Sequence, residues 1–221
     1  MATVWLIRHA ESEANAGLPT SDPTTTQLTA TGHQQSQRVA AILKHAPSLI
    51  VTSPYLRTKQ TAQPTIDRFP TVPQAEWPVQ EFTFLSPEHY KNTTTHERRP
   101  MVEDYWLKRD PFYVDGEGAE SFAMFVERVQ TVQFQLFQLT DEFVVVFSHE
   151  RFIRAVLWMS LTGTPQATPE AMQQFQSFIR SFCLPNGAIL QCELNQPEVW
   201  FSQLMVSHLV ESCSASQPSE R

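Results

Sequence analysis

The residues of this chain that can do chemistry gather at the ends of apolar runs. "VWLIRHAES", residues 4–12, ends its apolar part in Arg8 and His9, and "EFVVVFSHE", residues 142–150, ends its own in His149. A third run, "LIVTS", is followed by Arg57 about one helical turn into the next element. A neutral imidazole nitrogen can attack phosphorus when an acceptor holds the other ring nitrogen in the right tautomer. Guanidinium forks match phosphate oxygens, and a dianionic group needs several such donors. The set suits phosphoryl transfer, with His9 as the nucleophile that becomes phosphohistidine, Arg8 and Arg57 holding phosphate oxygens, and His149 donating to the equatorial oxygens. Taken singly, Arg8 also reads as a surface ion-pair partner and His9 as a hydrogen-bonded strand terminator. Glu81, in "WPVQEFTF", follows a short extended run beside aromatic residues. Partial burial there suits a carboxyl group that protonates the leaving alkoxide and later takes a proton from water, whereas an open loop would leave it a solvated carboxylate.

For these groups to converge, their strands must be neighbours in one sheet. "TVWLI" at 3–7 and the stretch 143–147 are continuously apolar, the pattern of central strands covered on both faces, and "SLIVTS" at 48–53 is a shorter one. Between them, "LTATGHQQSQRVAAILKHA" reads as a helix with Thr29 as its cap, stopped by Pro47. "YLRTKQTAQPTIDRF" is helical in bias, with Pro64 expected to bend or end it near Gln63. Phe122, Phe125, Val126, Val129, Val132, Leu136 and Leu139 form one broad apolar helical face, which leads into the 143–147 strand. "RFIRAVLWMSL" is a further helix ended at Gly163 and Pro165, and "PEAMQQFQSFIR" another. "GAILQCEL" and "VWFSQLMVS" are strands around a turn containing Pro197. The alternation predicts an α/β fold, a three-layer α/β/α sandwich with a mainly parallel central sheet. The catalytic groups would then lie in the crevice beyond the strands' carboxyl ends.

Residues 70–118 interrupt this rhythm with six prolines and a "DGEG" near the end, and read mainly as an excursion from the sheet, with room for short helices. Within them 82–118 is expected to act as a cap-like insertion, with Phe82, Phe84, Tyr90, Tyr105, Trp106, Phe112 and Tyr113 either lining the site or securing the insertion to the core. The domain would run over 1–210, with 211–221 as a flexible tail. At 221 residues the chain can bury about 70% of its extended surface, enough for one substantial core. A net charge of −7 argues against a polyanion-binding surface, so nucleic acid is not an expected partner, while a small anion needs only a local group of donors. Cys183, Cys192 and Cys213 lack metal-ligand spacing and make no disulfide framework. No apolar run approaches the roughly 18 residues of a membrane span, and a strand-like sequence begins within four residues of the amino terminus, which leaves a cytoplasmic setting as the expectation. Nothing here sets an oligomeric state.

Together these stretches resemble the histidine phosphatase superfamily, also called phosphoglycerate-mutase-like. "LIRHAESEAN" is similar to its phosphate-loop signature, "LTATGHQQSQRVA" to its next turn and helix, "VTSPYLRTKQTA" to its second arginine motif and "VVVFSHE" to its second histidine motif, so the resemblance runs to about residue 192. It implies that His9 is the phosphorylated nucleophile, that Arg8, Arg57 and His149 form the phosphate pocket with Asn15 beside it, and that Glu81 is the acidic residue of a more variable motif. It implies no metal and no cofactor, the arginines, His149 and helix-end amides supplying the positive field. Two positions depart from the pattern. Ala10 and Glu150 stand where glycines are usual, and the charge of Glu150 would repel phosphate unless it turns away or pairs with Arg151 or Arg154. The reading is a phosphomonoester hydrolase acting on a small phosphorylated molecule or phosphorylated side chain. A mutase using Arg98 and Arg99 for a second anionic group and a noncatalytic phospho-ligand-binding module are the alternatives.

Overall fold

The computed structural model describes residues 2–140, 142–163, 166–195 and 198–209; Pro165, Pro197, Cys213 and the 211–221 tail lie outside the described residues. Six strands, β1 (Ala2–Arg8), β2 (Leu49–Thr52), β3 (Gln74–Glu76), β4 (Phe143–Ser148), β5 (Ile189–Asn195) and β6 (Glu198–Met205), form one sheet in the order β3-β2-β4-β1-β5-β6. The first four of that order run parallel, and β5 is antiparallel to β1 and β6 to β5.

Side-chain alternation along the strands divides the core into two layers. Ile7, Ile50, Val145, Phe147 and Ile189 meet Val39 and Leu43 from α1 (Ala30–Ile42) and its end, and Ala62 from α2 (Leu56–Arg68). Val4, Leu6, Val51, Val144 and Val146 point the other way, toward residues of α4 (Phe122–Phe137), α5 (Glu150–Thr162) and α6 (Pro169–Ser181). The result is the expected three-layer sandwich. The expected face of α4 is the buried one, and Ser121 caps the helix by accepting from the Met124 N–H. Thr29 likewise accepts from the Gly32 N–H at the start of α1. Among the described residues no helix is long and apolar enough to cross a membrane.

One local expectation is corrected and a second refined. Pro64 does not end α2 near Gln63, since the helix runs on to Arg68 with the proline inside it. A proline inside a helix costs about 3 kcal/mol, and packing offsets it here: Thr58, Thr61, Ala62 and Thr65 are all buried. Residues 70–118 are also not wholly an excursion, because β3 extends the sheet edge beside β2. A three-residue strand with a largely exposed pattern carries too little periodicity to be read from sequence. The rest of the segment holds a short 3-10 turn (Pro87–Tyr90) and α3 (Arg99–Lys108). Of its aromatic rings, Phe82 stacks on Phe125 at 4.3 Å between centroids, and Phe84, Tyr105 and Trp106 join it in the core. Phe112 is exposed.

Candidate active site

Strand register builds the site. Arg8 pairs with Ser148 and Thr52 with Phe147, so the next residues on three adjacent parallel strands, His9, Ser53 and His149, emerge together at the carboxyl edge. The His9 N–H donates to Ser148 O at 2.9 Å and the Ser53 N–H to Phe147 O at 3.2 Å, carrying the ladder one step beyond the strands. Arg57 enters from the first turn of α2, and Glu150 begins α5 directly after His149.

The loop after His9 is held from three sides. The Ala10 N–H donates to Thr61 Oγ1 at 3.0 Å, the Glu11 N–H to Gln35 Oε1 at 2.8 Å, and the Thr29 N–H to Glu11 O at 3.0 Å. Gly32 is required by this approach, since a Cβ there would lie 2.0 Å from Glu11 O. The Gly187 N–H donates to both Arg8 O and His9 O. Ala10 serves in place of glycine because it is not among the described residues with positive φ, so a Cβ is tolerated.

Arg57 is the hub. Its Nε donates to His9 Nε2 at 3.2 Å, its Nη2 to His149 Nδ1 at 3.0 Å, and its Nη1 to Pro23 O. His9 Nδ1 lies 2.8 Å from Ala10 O, which only accepts, so this network assigns the ring proton to Nδ1 and leaves the lone pair on Nε2. Burial pushes the His9 pKa well below its ordinary value, with Arg57 and then Arg8 adding to the effect against an opposing bond to Ala10. His149 is shifted down in the same way, first by burial and then by Arg57. The two rings sit 5.1 Å apart between centroids.

A cavity of about 250 Å³ opens in front of this cluster, and Arg8, His9, Asn15, Arg57 and Glu81 line it. His149 is fully buried behind that wall, its ring edge-on to Tyr55 at 5.2 Å. Five of the six sequence-derived residues thus share the wall and the sixth supports it. Asn15 Oδ1 accepts from Ser12 N, Ser12 Oγ and Asn186 Nδ2, and Asn15 lines the cavity, so its amide NH2 is the donor it has to offer there. Glu81 is anchored differently from the aromatic enclosure expected of it. Its Oε1 accepts from the backbone N–H groups of Phe82 at 3.0 Å and Arg151 at 3.1 Å, the latter in the first turn of α5.

Glu150 does pair with Arg154, at 2.6 Å, and also with Arg8, at 3.2 Å, a partner the sequence did not suggest. Its charge is therefore shared between two arginines. Arg8 further donates through Nη1 to Leu184 O, while its buried Nε has no partner in the described structure. Arg98 also lines the cavity, whereas Arg99 is exposed and outside it. Arg98 donates to Thr93 O and Thr93 Oγ1 and lies over Tyr90, and Arg99 is bonded to Glu103.

Sequence reasoning missed Ser53, Thr61, Tyr55 and Asn186. The strand-end rule that singled out His9 and His149 applies equally to Ser53, and "PNG" at 185–187 is a turn signal whose position beside His9 depends on β5. Tyr55 and Thr61 gave no local sign.

A mainly parallel α/β sheet whose carboxyl edge holds two imidazoles bridged by a buried guanidinium, beside a cavity with further arginines, defines an α/β protein with the donors to hold a small anion. The chain belongs to the histidine phosphatase superfamily (branch 1), whose family model matches residues 4–186. It is 30% identical over 187 residues to the adenosylcobalamin/α-ribazole phosphatase of Escherichia coli, covering 78% of this chain and 84% of that one. The Salmonella typhi protein of the same name is 32% identical over 132 residues, 57% of this chain, and the match spans 63% of its length. Solved structures share the fold. Phosphoserine phosphatase from Entamoeba histolytica, in complex with 3-phosphoglyceric acid, superposes with a TM-score of 0.71 at 23% identity, covering 95% of this chain and all of that one. The α-ribazole phosphatase from Shigella flexneri gives 0.69 at 24% identity, covering 91% and 95%.

Proposed function

We propose that this chain hydrolyses phosphomonoesters of small metabolites through a covalent phosphohistidine on His9. The observation that carries the reading is the His9 ring itself, with its Nδ1 proton tied to Ala10 O and its Nε2 lone pair directed at the Arg57 hub beside the cavity. Nε2 attacks phosphorus as the bond to the ester oxygen breaks, and Glu81 delivers a proton to that oxygen. Water then attacks the phosphohistidine, the N–P bond breaks, Glu81 takes a proton back, and inorganic phosphate leaves. Arg8, Arg57 and the Asn15 amide NH2 stabilise the phosphoryl oxygens, whose charge is spread most widely in the transition state.

The substrate is read as a small phosphorylated molecule rather than a nucleic acid or a membrane. Phe82, Phe84, Leu85 and Tyr90 of the 82–118 segment share the cavity wall, which supports the cap-like role proposed for that segment. Phosphorylated ribazole is the first candidate on the likeness to the E. coli enzyme. The cytoplasm is the proposed setting, in keeping with the free thiols of Cys183 and Cys192. Hydrolysis is favoured over mutase chemistry because Arg99 is exposed, lies outside the cavity lining and pairs with Glu103, while Arg98, at the cavity wall, has Nη1 bound to Thr93. It is favoured over a silent binding module because Glu150 is held by Arg8 and Arg154.

Incubation with α-ribazole phosphate, phosphoserine and 3-phosphoglycerate tests this, together with acid-quench trapping of labelled enzyme. Release of inorganic phosphate and an acid-labile label lost in H9A are expected. Formation of 2-phosphoglycerate without net release would replace the hydrolase reading with a mutase. A label that persists in H9A would remove His9 as the nucleophile.

A further inference from the structure

His149 does more than back the cavity wall, because its two nitrogens are the middle of a hydrogen-bonded chain with a fixed direction. Arg57 Nη2 can only donate, so His149 Nδ1, 3.0 Å away, is the acceptor. A neutral ring with a bare Nδ1 carries its proton on Nε2, which lies 2.7 Å from Ser53 Oγ. Ser53 Oγ then accepts from the ring and from the Tyr55 N–H, and its own proton goes to Thr58 Oγ1 at 2.9 Å. Thr58 in turn donates to Tyr55 O at 2.7 Å, a carbonyl that can only accept. The donors therefore run one way: Arg57, His149, Ser53, Thr58, backbone carbonyl. Ser53, Thr58 and His149 are each fully buried, so no solvent-connected route leads away from Nε2. Bonds in such a chain polarise and reinforce one another, which holds the direction.

The consequence bears on phosphate. Phosphoryl oxygens are acceptors, and in this arrangement His149 offers them a lone pair instead of an N–H. We propose that Ser53 is a positioning residue that pins the ring proton of His149 on Nε2, so that His149 engages a phosphoryl group only by taking up a second proton on Nδ1. The proton comes from the monoanionic form of the phosphate or from solvent, and no bonds change other than O–H and N–H. Arg57 Nη2 turns from Nδ1 to a phosphoryl oxygen in the same step. The inference rests on the phosphatase reading for its catalytic meaning, but the pinning itself does not.

The charged and titratable groups around His149 fit this division of states. Arg57 of α2, His9 and Arg8 of β1 and its end, and Arg128 of α4 all oppose a second proton while the cavity holds no anion. Glu81 and Glu150 are already bonded, to the Arg151 backbone and to Arg8 and Arg154. A bound dianion is the group able to reverse that balance.

The test is the side-chain nitrogen spectrum of protein labelled with 15N-histidine, free and saturated with inorganic phosphate. Free wild type is expected to show His149 protonated on Nε2 alone, and the phosphate complex to show both nitrogens protonated. S53A should lose the Nε2-only state in the free protein and lower kcat/KM about tenfold, with S53T restoring both. T58V breaks the same chain one link further on and should weaken the preference, which keeps the test available if S53A does not fold. A free ring protonated on Nδ1, an S53A ring still on Nε2 alone, or an Nδ1 that stays bare under saturating phosphate would each overturn the proposal. Absence of turnover with an unchanged tautomer pattern would instead count against the phosphatase reading.

Discussion

Arg57→Lys keeps the charge of the hub while removing its shape, and so isolates what the guanidinium geometry contributes. Arg57 makes three bonds in one plane, to His9 Nε2 at 3.2 Å, to His149 Nδ1 at 3.0 Å and to Pro23 O. A lysine ammonium is a single point on a flexible stem and cannot reach all three acceptors from the first turn of α2. A hydrogen bond to a charged group contributes about 1.5–3 kcal/mol. Once His9 Nε2 attacks phosphorus, both donors are free to turn to phosphoryl oxygens. If the ammonium keeps one of these two contacts and loses the other, the transition state loses about that amount, which is roughly 10- to 150-fold in kcat/KM at about 1.4 kcal/mol per decade. Losing both contacts, as in R57A, doubles the energy and takes the loss to roughly 10²- to 10⁴-fold. The assay is kcat/KM for p-nitrophenyl phosphate alongside a thermal melt, since the Pro23 carbonyl also loses its donor. An R57K enzyme within threefold of wild type would refute the argument that the fork, and not only its charge, organises the two imidazoles.

E81Q should separate substrates by leaving group. Release of an alkyl alcohol needs a proton and is expected to slow by about 10²- to 10⁴-fold, while p-nitrophenolate release should stay within about tenfold. Equal losses on both substrates would assign the proton to another group. Folding stability should also fall in mild acid. The pKa values of His9 and His149 are lowered well below the ordinary 6.5 in the folded chain, so the unfolded chain binds more protons beneath that pH. The stability of the neutral buried rings is complete above about pH 6.5 and is lost progressively as the pH falls toward their folded values. Two such groups predict a loss of about 2–3 kcal/mol between pH 7.5 and 5.5, read from urea midpoints. A flat or rising stability over that interval would contradict neutral burial of the pair.

Much of the fold was legible because its signals are local. The central strands announce themselves as continuous apolar runs, and α4 as a long single-faced period. What stayed hidden is what local pattern does not encode. Strand β3 is three residues long, and Pro64 is carried within α2 by burial against the rest of the domain, which no window of sequence contains. Of the site, His9, His149, Arg8 and Arg57 were legible by type and strand-end position, with the family resemblance adding Asn15 and weighting Glu81. The partners that give them their states were not. Ser53 Oγ, Leu184 O and the Arg151 N–H belong to the arrangement of chain segments and carry no mark in composition or spacing.

The amino-acid sequence by itself determined the kinds of groups available, two imidazoles and several guanidiniums, and the strand-end positions from which they project, because period and turn chemistry act over a few residues. Tertiary structure alone decided that His149 holds its proton on Nε2, and that Glu150 is shared by Arg8 and Arg154. Those outcomes depend on groups far apart in the chain, Ser53 and His149 by 96 residues and Arg8 and Glu150 further still, and the parallel register of β1, β4 and β2 brings them within hydrogen-bond reach.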